Sequence, residues 1–458
     1  MISQPSNNLS VKEKIGYGLG DTASNFVFHI VNAFMIVYYT DVLGLNPTAV
    51  GTLYAVARIW DAVSDPLMGG FADRTKTKFG KYRPYLLWLA VPYGAIGCLA
   101  FLGPDFSDSG KLVYAYVTYI ALMTIYTAIN VPYSALMGVM TADPKERASL
   151  STFRFVGAFS AQVIIGLALL PLLNRFGGFG SPEAWRVAIP FFAVFATVLF
   201  LITFTTTKER VPPQKEVRNV RAEFEALKKN VPLVVMLIVA LITLTQLGLR
   251  LGITQYYLNQ LTGFGPDEHW WYLDKGSIFW TSAPVALVLG LFMTKHLTKR
   301  FGKRNSLILL TILNSLSIIG FYWIDPTDFE LVLIYNMIGA FIAGPMPALV
   351  WAMYTDVVEY GEWKFGLRTT ALAMSSAMLI QKIGLAIGGG SVGWMLGMYN
   401  FNSKGKQSEE TLNGILMMFS VIPGVLLMST AIVLLWYRLT DDEVTRITAE
   451  LKERRNES

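Results

Sequence analysis

The sequence predicts an all-α membrane protein: twelve transmembrane helices arranged as two pseudo-symmetric six-helix bundles. Three observations carry that expectation. The 458 residues are 53% hydrophobic and only 15% charged, against about 25% charged in average soluble domains. The apolar residues come in runs of about 20 or more, the length that crosses a hydrocarbon core of about 30 Å. The longest strongly charged stretch, "KERVPPQKEVRNVRAEFEALKKN" at 208–230, has six such runs on either side.

The runs lie near 15–42, 50–72, 84–103, 112–141, 149–174, 187–207, 231–262, 274–294, 305–324, 329–355, 370–398 and 412–437. Domain boundaries follow: bundle 1 over 1–207, a cytoplasmic linker over 208–230 with a short helix at "VRAEFEALKK", bundle 2 over 231–440, and a tail over 441–458. The polar opening "MISQPSNNLSVKEK" carries no visible cleavable signal. Lysines and arginines number 28 in the termini and the loops after even-numbered spans, and 6 in the opposite loops. The basic side stays in the cytoplasm, so both termini are expected there, in a bacterial inner membrane. The net charge of +6 is then an orientation signal spread over short loops, which argues against nucleic acid as a partner.

In span 1, Asp21, Asn25 and His29 step by four and Asn32 follows, forming one polar helix face. Span 2 holds "ARIWDAVSDP", with Arg58, Asp61, Ser64 and Asp65 on one side. Asp61 lies 11 residues in from 50, about 16 Å at 1.5 Å per residue, near the bilayer centre. A charge there costs roughly 2.5–3.5 kcal/mol on insertion scales. Two carboxylates one turn apart repel unless something positive joins them. Hard cations prefer oxygen ligands, so a sodium ion or a proton is the expected occupant. Arg58 is expected to neutralise one acid when that cation is absent.

Span 3 carries the lone cysteine, Cys98, read as packing. Tyr126, Asn130, Tyr133 and Ser134 line one face of span 4, with Thr127 beside Tyr126 and Pro132 expected to kink the helix. Arg154 falls inside span 5, Arg250 inside span 7 with Gln246 one turn earlier, and Lys382 inside span 11, ahead of "GGG" at 388–390. Amides, hydroxyls and aromatic rings suit a hydroxylated ligand, whose water hydrogen bonds they replace.

The halves repeat faintly. "YYTDVLGL" after span 1 is similar to "YYLNQLTG" after span 7, 218 residues on. "TKFGKYRPYLLW" after span 2 is similar to "TKRFGKRNSLIL" after span 8, and Arg147 and Arg368 lie 221 apart. Parallel halves of this kind belong to the major facilitator architecture, with substrate near the midplane. No GxxxxGK[ST] loop marks a transport ATPase. The three histidines, at 29, 269 and 296, are too scattered for a zinc protease. An enzyme is not expected, and a channel would more often have fewer spans per chain. No cofactor is expected beyond a coupling ion, Na+ or H+.

"KIGYGLGDTASNF", "YYTDVLGL", "ARIWDAVSDPLMGGFADRTKTKFGKYRPY", "NVPYSALM", "RASLSTFRF" and "DVVEYGEWKFGLR" together resemble the glycoside–pentoside–hexuronide:cation symporters, over nearly the whole chain. The resemblance implies a cation site of Asp61, Ser64, Asp65 and Thr127. Ser64 stands where the family's melibiose carrier has asparagine. The resemblance further implies a substrate site of Asp21, Asn25, Tyr126, Asn130, Arg154 and Lys382. Asn25 and Asn130 stand where the melibiose carrier has sugar-gripping aspartates, and Ser134 where it has tryptophan. That departure points to a xyloside, another neutral glycoside or a glucuronide. Arg58, Arg147, Asp356 and Arg368 are expected to couple or gate, with the basic loops after spans 2 and 8 meeting acids such as Asp356, Glu359 and Glu362. The expected activity is symport of a glycoside with Na+ or H+ by alternating access, by a monomer in a lipid bilayer. A transporter-like sugar sensor that binds without concentrating is the alternative.

Overall fold

The computed structural model describes residues 9–457 other than 142, 212–219, 265–268, 271–272, 368 and 404. In chain order the helices are α1 (Val11–Val37), α2 (Pro47–Arg74), α3 (Arg83–Ala100), α4 (Asp108–Met140), α5 (Pro144–Arg175), α6 (Pro182–Thr206), α7 (Val220–Lys229), α8 (Val231–Tyr257), α9 (Lys275–Leu291), α10 (Thr294–Gly320), α11 (Phe329–Ala343), α12 (Met346–Phe365), α13 (Thr370–Met398), α14 (Glu409–Phe419), α15 (Val421–Leu434) and α16 (Asp441–Glu457). A two-stranded antiparallel ribbon, β1 (His269–Trp270) and β2 (Leu273–Asp274), precedes α9.

All twelve predicted spans are helical. Among the described residues, eight stretches are long and apolar enough by composition to cross a membrane. The other four, α1, α2, α3 and α9, are shorter or more polar along their length. Span 10 divides into α11 and α12 at Gly344–Pro345, and span 12 into α14 and α15 at Ser420. α4 continues as helix through Pro132, which fills a span position without ending it. Local chemistry sets the starts. Ser10 and Glu13 form a capping box on α1, and Asn46 accepts from Thr48 and Ala49 at α2, whose first residue is Pro47.

The internal repeat is visible in backbone geometry. A π-turn follows α1 at Tyr38–Val42 and another follows α8 at Leu258–Thr262. Gly80 and Gly302 both have positive φ, +106° and +75°. At each glycine a carboxylate closes in. Glu209 accepts from the backbone N–H groups of Lys81, Tyr82 and Arg83 at 2.8, 2.7 and 2.9 Å. Asp441 accepts from the Lys303 N–H at 2.9 Å. A Cβ on either glycine would stand 2.6 or 2.7 Å from that carboxylate, so both positions exclude larger residues.

The chain forms two compact units. Unit 1 comprises 1–215 with Phe264–Thr281 and Gly393–Gln407, and unit 2 comprises Glu216–Gly263, Ser282–Val392 and 408–458. Two segments of the second half of the chain, Phe264–Thr281 and Gly393–Gln407, therefore belong to unit 1. Trp280 meets His29 edge-on at 6.1 Å and Phe34 at 5.1 Å, and Trp394 donates to Thr52 at 3.1 Å. In unit 2, Met236, Leu349, Tyr354, Val357 and Leu427 form the buried core. Large apolar residues such as Phe71, Trp88, Val117, Phe292 and Trp436 are exposed, as on helices whose solvent is lipid.

Candidate functional site

α2 and α4 bring four oxygen-bearing side chains of unit 1 together. Asp61 is fully buried, Thr127 is 2% exposed and Ser64 7%. The Thr127 hydroxyl lies 2.7 Å from Asp61 Oδ1 and 3.2 Å from Asp65 Oδ1. Ser64 Oγ lies 3.3 Å from Thr127 Oγ1 and donates to the Asp61 carbonyl at 3.1 Å. Oxygens this close together, two of them on carboxylates, are of the kind that hard cations take as ligands. Among the described residues no group of three or more His, Cys, Asp or Glu gathers. The donor set is thus two carboxylates and two hydroxyls, all hard oxygen.

Arg58 is 2% exposed and stands one turn before Asp61, within electrostatic reach of its carboxylate. Its Nη2 donates to Asn32 Oδ1 at 2.7 Å, and Tyr54 OH donates to the same oxygen at 2.7 Å. The guanidinium lies over the rings of Phe28 and Tyr54, at 5.2 and 5.0 Å from their centroids. The polar stripe of α1 thereby reaches α2 one turn from Asp61.

Elsewhere in the same unit, Arg154 of α5 grips Asp21 of α1 through Nε at 3.3 Å and Nη2 at 3.4 Å. Its guanidinium covers the Tyr133 ring at 5.1 Å. Tyr133 stacks on Tyr17 at 4.8 Å, and each hydroxyl donates to the other residue's carbonyl. Ser24 donates to Asn130 Oδ1 at 2.9 Å, and Asn25 Nδ2 donates to the Asp21 carbonyl at 2.8 Å. Tyr126 stacks on Phe28 at 5.3 Å. Five of the six expected substrate residues therefore sit in unit 1, on α1, α4 and α5. Lys382 belongs to α13 of unit 2.

Of the expected coupling residues, Arg147 caps the end of α4, donating to the carbonyls of Thr141 and Gly138. Asp356 pairs with Lys303 of the loop after span 8. Glu359 accepts from Thr448 of the tail helix at 2.8 Å, and Glu362 lies on α12. Arg368 lies outside the described residues. The loop after span 2 meets acids of its own unit: Glu209, and Asp73, which pairs with Lys81 at 2.8 Å. Burial alone would raise the Asp73 carboxyl, but hydrogen bonds from Lys81 and Tyr82 hold it below the usual carboxylate range. Phe28, Ser24, Tyr54, Glu209 and Asp441 were not singled out by sequence. Only the charge of the last two offered a signal, in segments where charge is ordinary.

The family described as MFS/sugar transport protein matches residues 16–441. An inner membrane symporter of Escherichia coli (strain K12) is 33% identical, over 97% of this chain and 96% of its own length. The isoprimeverose transporter of Lactiplantibacillus pentosus is 33% identical, over 98% of this chain and 92% of its own length. Among solved structures, a D-xylose-proton symporter superposes with a TM-score of 0.66 at 14% identity, covering 94% of this chain and 98% of that one. At that identity the last likeness speaks for the fold alone.

Proposed function

Because the chain belongs to the glycoside–pentoside–hexuronide:cation symporters of the major facilitator sugar transporters, we infer that this multi-pass sugar transporter couples uptake of a glycoside to a monovalent cation, Na+ or H+. The observation that carries the inference is Thr127 reaching both Asp61 and Asp65, on a helix pair buried at mid-span. The relatives' names support the glycoside class, one of them being an isoprimeverose transporter.

In this reading the cation sits among Asp61, Ser64, Asp65 and Thr127 and cancels the repulsion of the two acids. The residues proposed for the sugar are Asp21, Asn25, Tyr126, Asn130, Arg154 and Lys382. Phe28 links the two sets: one face of its ring stacks on Tyr126 and the ring also packs under Arg58. Symport requires each ligand to raise the other's affinity, a reciprocal effect of about 1–3 kcal/mol. Rocking of the two bundles then opens the loaded site to the cytoplasm, where both termini lie.

Purified protein in proteoliposomes tests the reading. Radiolabelled glycoside should accumulate when a sodium or proton gradient is imposed, and a protonophore should tell the two ions apart. Asp65→Asn should insert and exchange sugar yet accumulate none above empty vesicles. Undiminished accumulation in that variant would refute the cation site. Counterflow separates transport from sensing, because a sensor binds sugar without exchanging it.

A further inference from the structure

The fifty residues from Lys275 to Ile324 contain no aspartate or glutamate but six lysines and arginines. The fold uses these cations unequally. Lys303 pairs with Asp356 and Asp441, Arg304 donates to the carbonyls of Leu434 and Leu435, and Lys275 lies over the Phe264 ring. Lys295, Lys299 and Arg300 are exposed, and among the described residues no carboxylate pairs with them. Arg300 only covers the ring of its neighbour Phe301, at 5.2 Å. The place of these three is particular. α9 has 17 residues, about 26 Å at 1.5 Å per residue. The part of α10 from 303 to 320 is about 27 Å by the same rise. Each is close to the thickness of a hydrocarbon core of about 30 Å, so the segment between them falls where hydrocarbon meets headgroups. A turn at Phe292–Met293 separates it from α9, and Gly302, with φ +75° and ψ 169°, breaks it from the rest of α10. Thr294–Phe301 is thus a short amphipathic helix of its own. Leu297 packs on the core of unit 2. Lys295 and Lys299, two residues to either side of it, point the opposite way at 3.6 residues per turn. Phe292 and Phe301, 73% and 41% exposed, flank them. The equivalent loop after α2 has no such helix and closes instead in a tight turn at Thr77–Gly80.

We propose that Phe292–Phe301 is a binding site for an anionic phospholipid, whose headgroup phosphate meets Lys295, Lys299 and Arg300 while its acyl chains lie along Phe292 and Phe301. A basic face beside exposed rings is the pattern of helices that lie in the membrane interface. Each basic residue at an anionic lipid surface strengthens binding about fivefold. A zwitterionic lipid carries its own cation beside the phosphate and gains less from three more. A soluble acidic protein could meet the cations, but the rings stand at the hydrocarbon edge, where only lipid covers them. The site is independent of the sugar and cation residues and requires only that the chain spans a membrane.

Native mass spectrometry of the full chain in detergent, titrated with palmitoyl-oleoyl phosphatidylglycerol or phosphatidylcholine, measures the affinity of the first bound lipid. Wild type should hold phosphatidylglycerol tighter by about tenfold or more. Lys295→Gln/Lys299→Gln/Arg300→Gln should bring the two lipids within about twofold of each other, and Lys299→Gln alone should cost about fivefold for phosphatidylglycerol. Arg74→Gln/Lys76→Gln/Lys78→Gln removes as many exposed charges from the loop after α2 and should leave the preference standing. Equal loss in the two triple variants would reveal a diffuse charge effect and overturn the site, as would a wild type that does not distinguish the lipids. Phe292→Ser should weaken both lipids alike, and unchanged binding there would overturn the acyl contact. Glycerol 1-phosphate, which has the phosphate without the chains, should not displace the lipid at equal concentration. Displacement would overturn the lipid as the occupant.

Discussion

The two units hold their mid-span arginines by different means. Unit 1 surrounds its charges with protein polar atoms: Arg154 on Asp21, Arg58 on Asn32, Asp61 and Asp65 on Thr127. Unit 2 pairs Asp356 with Lys303 in the same way, but its mid-span arginine, Arg250, lies against rings. Its guanidinium lies 5.2 Å from the Phe321 centroid and 4.9 Å from that of Phe419, and Tyr257 stacks on Phe419 at 4.0 Å. The difference is functional. A carboxylate or hydroxyl partner can be exchanged for a cation or a sugar, so unit 1's pairs are replaceable contacts. Ring faces hold the guanidinium without exchanging a proton or a charge, and we read Arg250 as part of unit 2's packing.

The largest expected effect that would break this comparison is on Phe419. Replacing it with alanine removes a buried ring that touches Arg250, Tyr257 and Phe321. The loss should be about 3–5 kcal/mol of stability, seen as a lower melting temperature in detergent. Sugar accumulated per imposed cation gradient should be unchanged in the protein that survives. A changed coupling ratio would mean that Arg250 belongs to the transport machinery. Asp65→Asn is the mirror experiment, expected to abolish coupling with little change in melting.

The next effect sharpens what the units share. Glu209→Gln keeps the shape of the carboxylate that caps Lys81, Tyr82 and Arg83 but removes its charge. Hydrogen bonds to a charged partner are worth about 1.5–3 kcal/mol, so a destabilisation of that order is expected. Gly80→Ala should behave similarly, because its Cβ would meet the same carboxylate at 2.6 Å.

Much of this was legible in the sequence. Charged and amide residues stand out against apolar runs, so Asp21, Asp61, Asp65 and Arg154 announced themselves by what each costs in a membrane. The repeat was readable at "FGKYRP" and "FGKRNS" because a positive-φ glycine and its flanking cations tolerate few substitutes. Partners were harder. Arg58 stands three residues from Asp61, but nothing in the sequence pointed to its hydrogen bond with Asn32 on α1. Phe28 hides among apolar residues and becomes visible only when Tyr126 and Arg58 lie against it. Glu209 and Asp441 sit in charged segments where one more acid carries no signal. The split of spans 10 and 12 depends on packing around Gly344, Pro345 and Ser420, which no period in the sequence encodes.

The smallest expected effect tests whether the two caps are one device used twice. Asp441 closes on Gly302 as Glu209 closes on Gly80, but it accepts from one backbone N–H where Glu209 accepts from three. It shares Lys303 with Asp356, at 3.5 Å from the lysine nitrogen, and its side chain is 41% exposed. An exposed ion pair of that kind contributes about 0.2–1 kcal/mol. Asp441→Asn should thus lower the melting temperature less than Glu209→Gln does, in the same direction. Raising the salt concentration should shrink the Asp441 effect further, because exposed charges are screened, and leave the Glu209 effect larger by comparison. Equal losses at both positions, or a larger one at Asp441, would show that the tail helix beginning at Asp441 bears load that its single backbone hydrogen bond does not reveal.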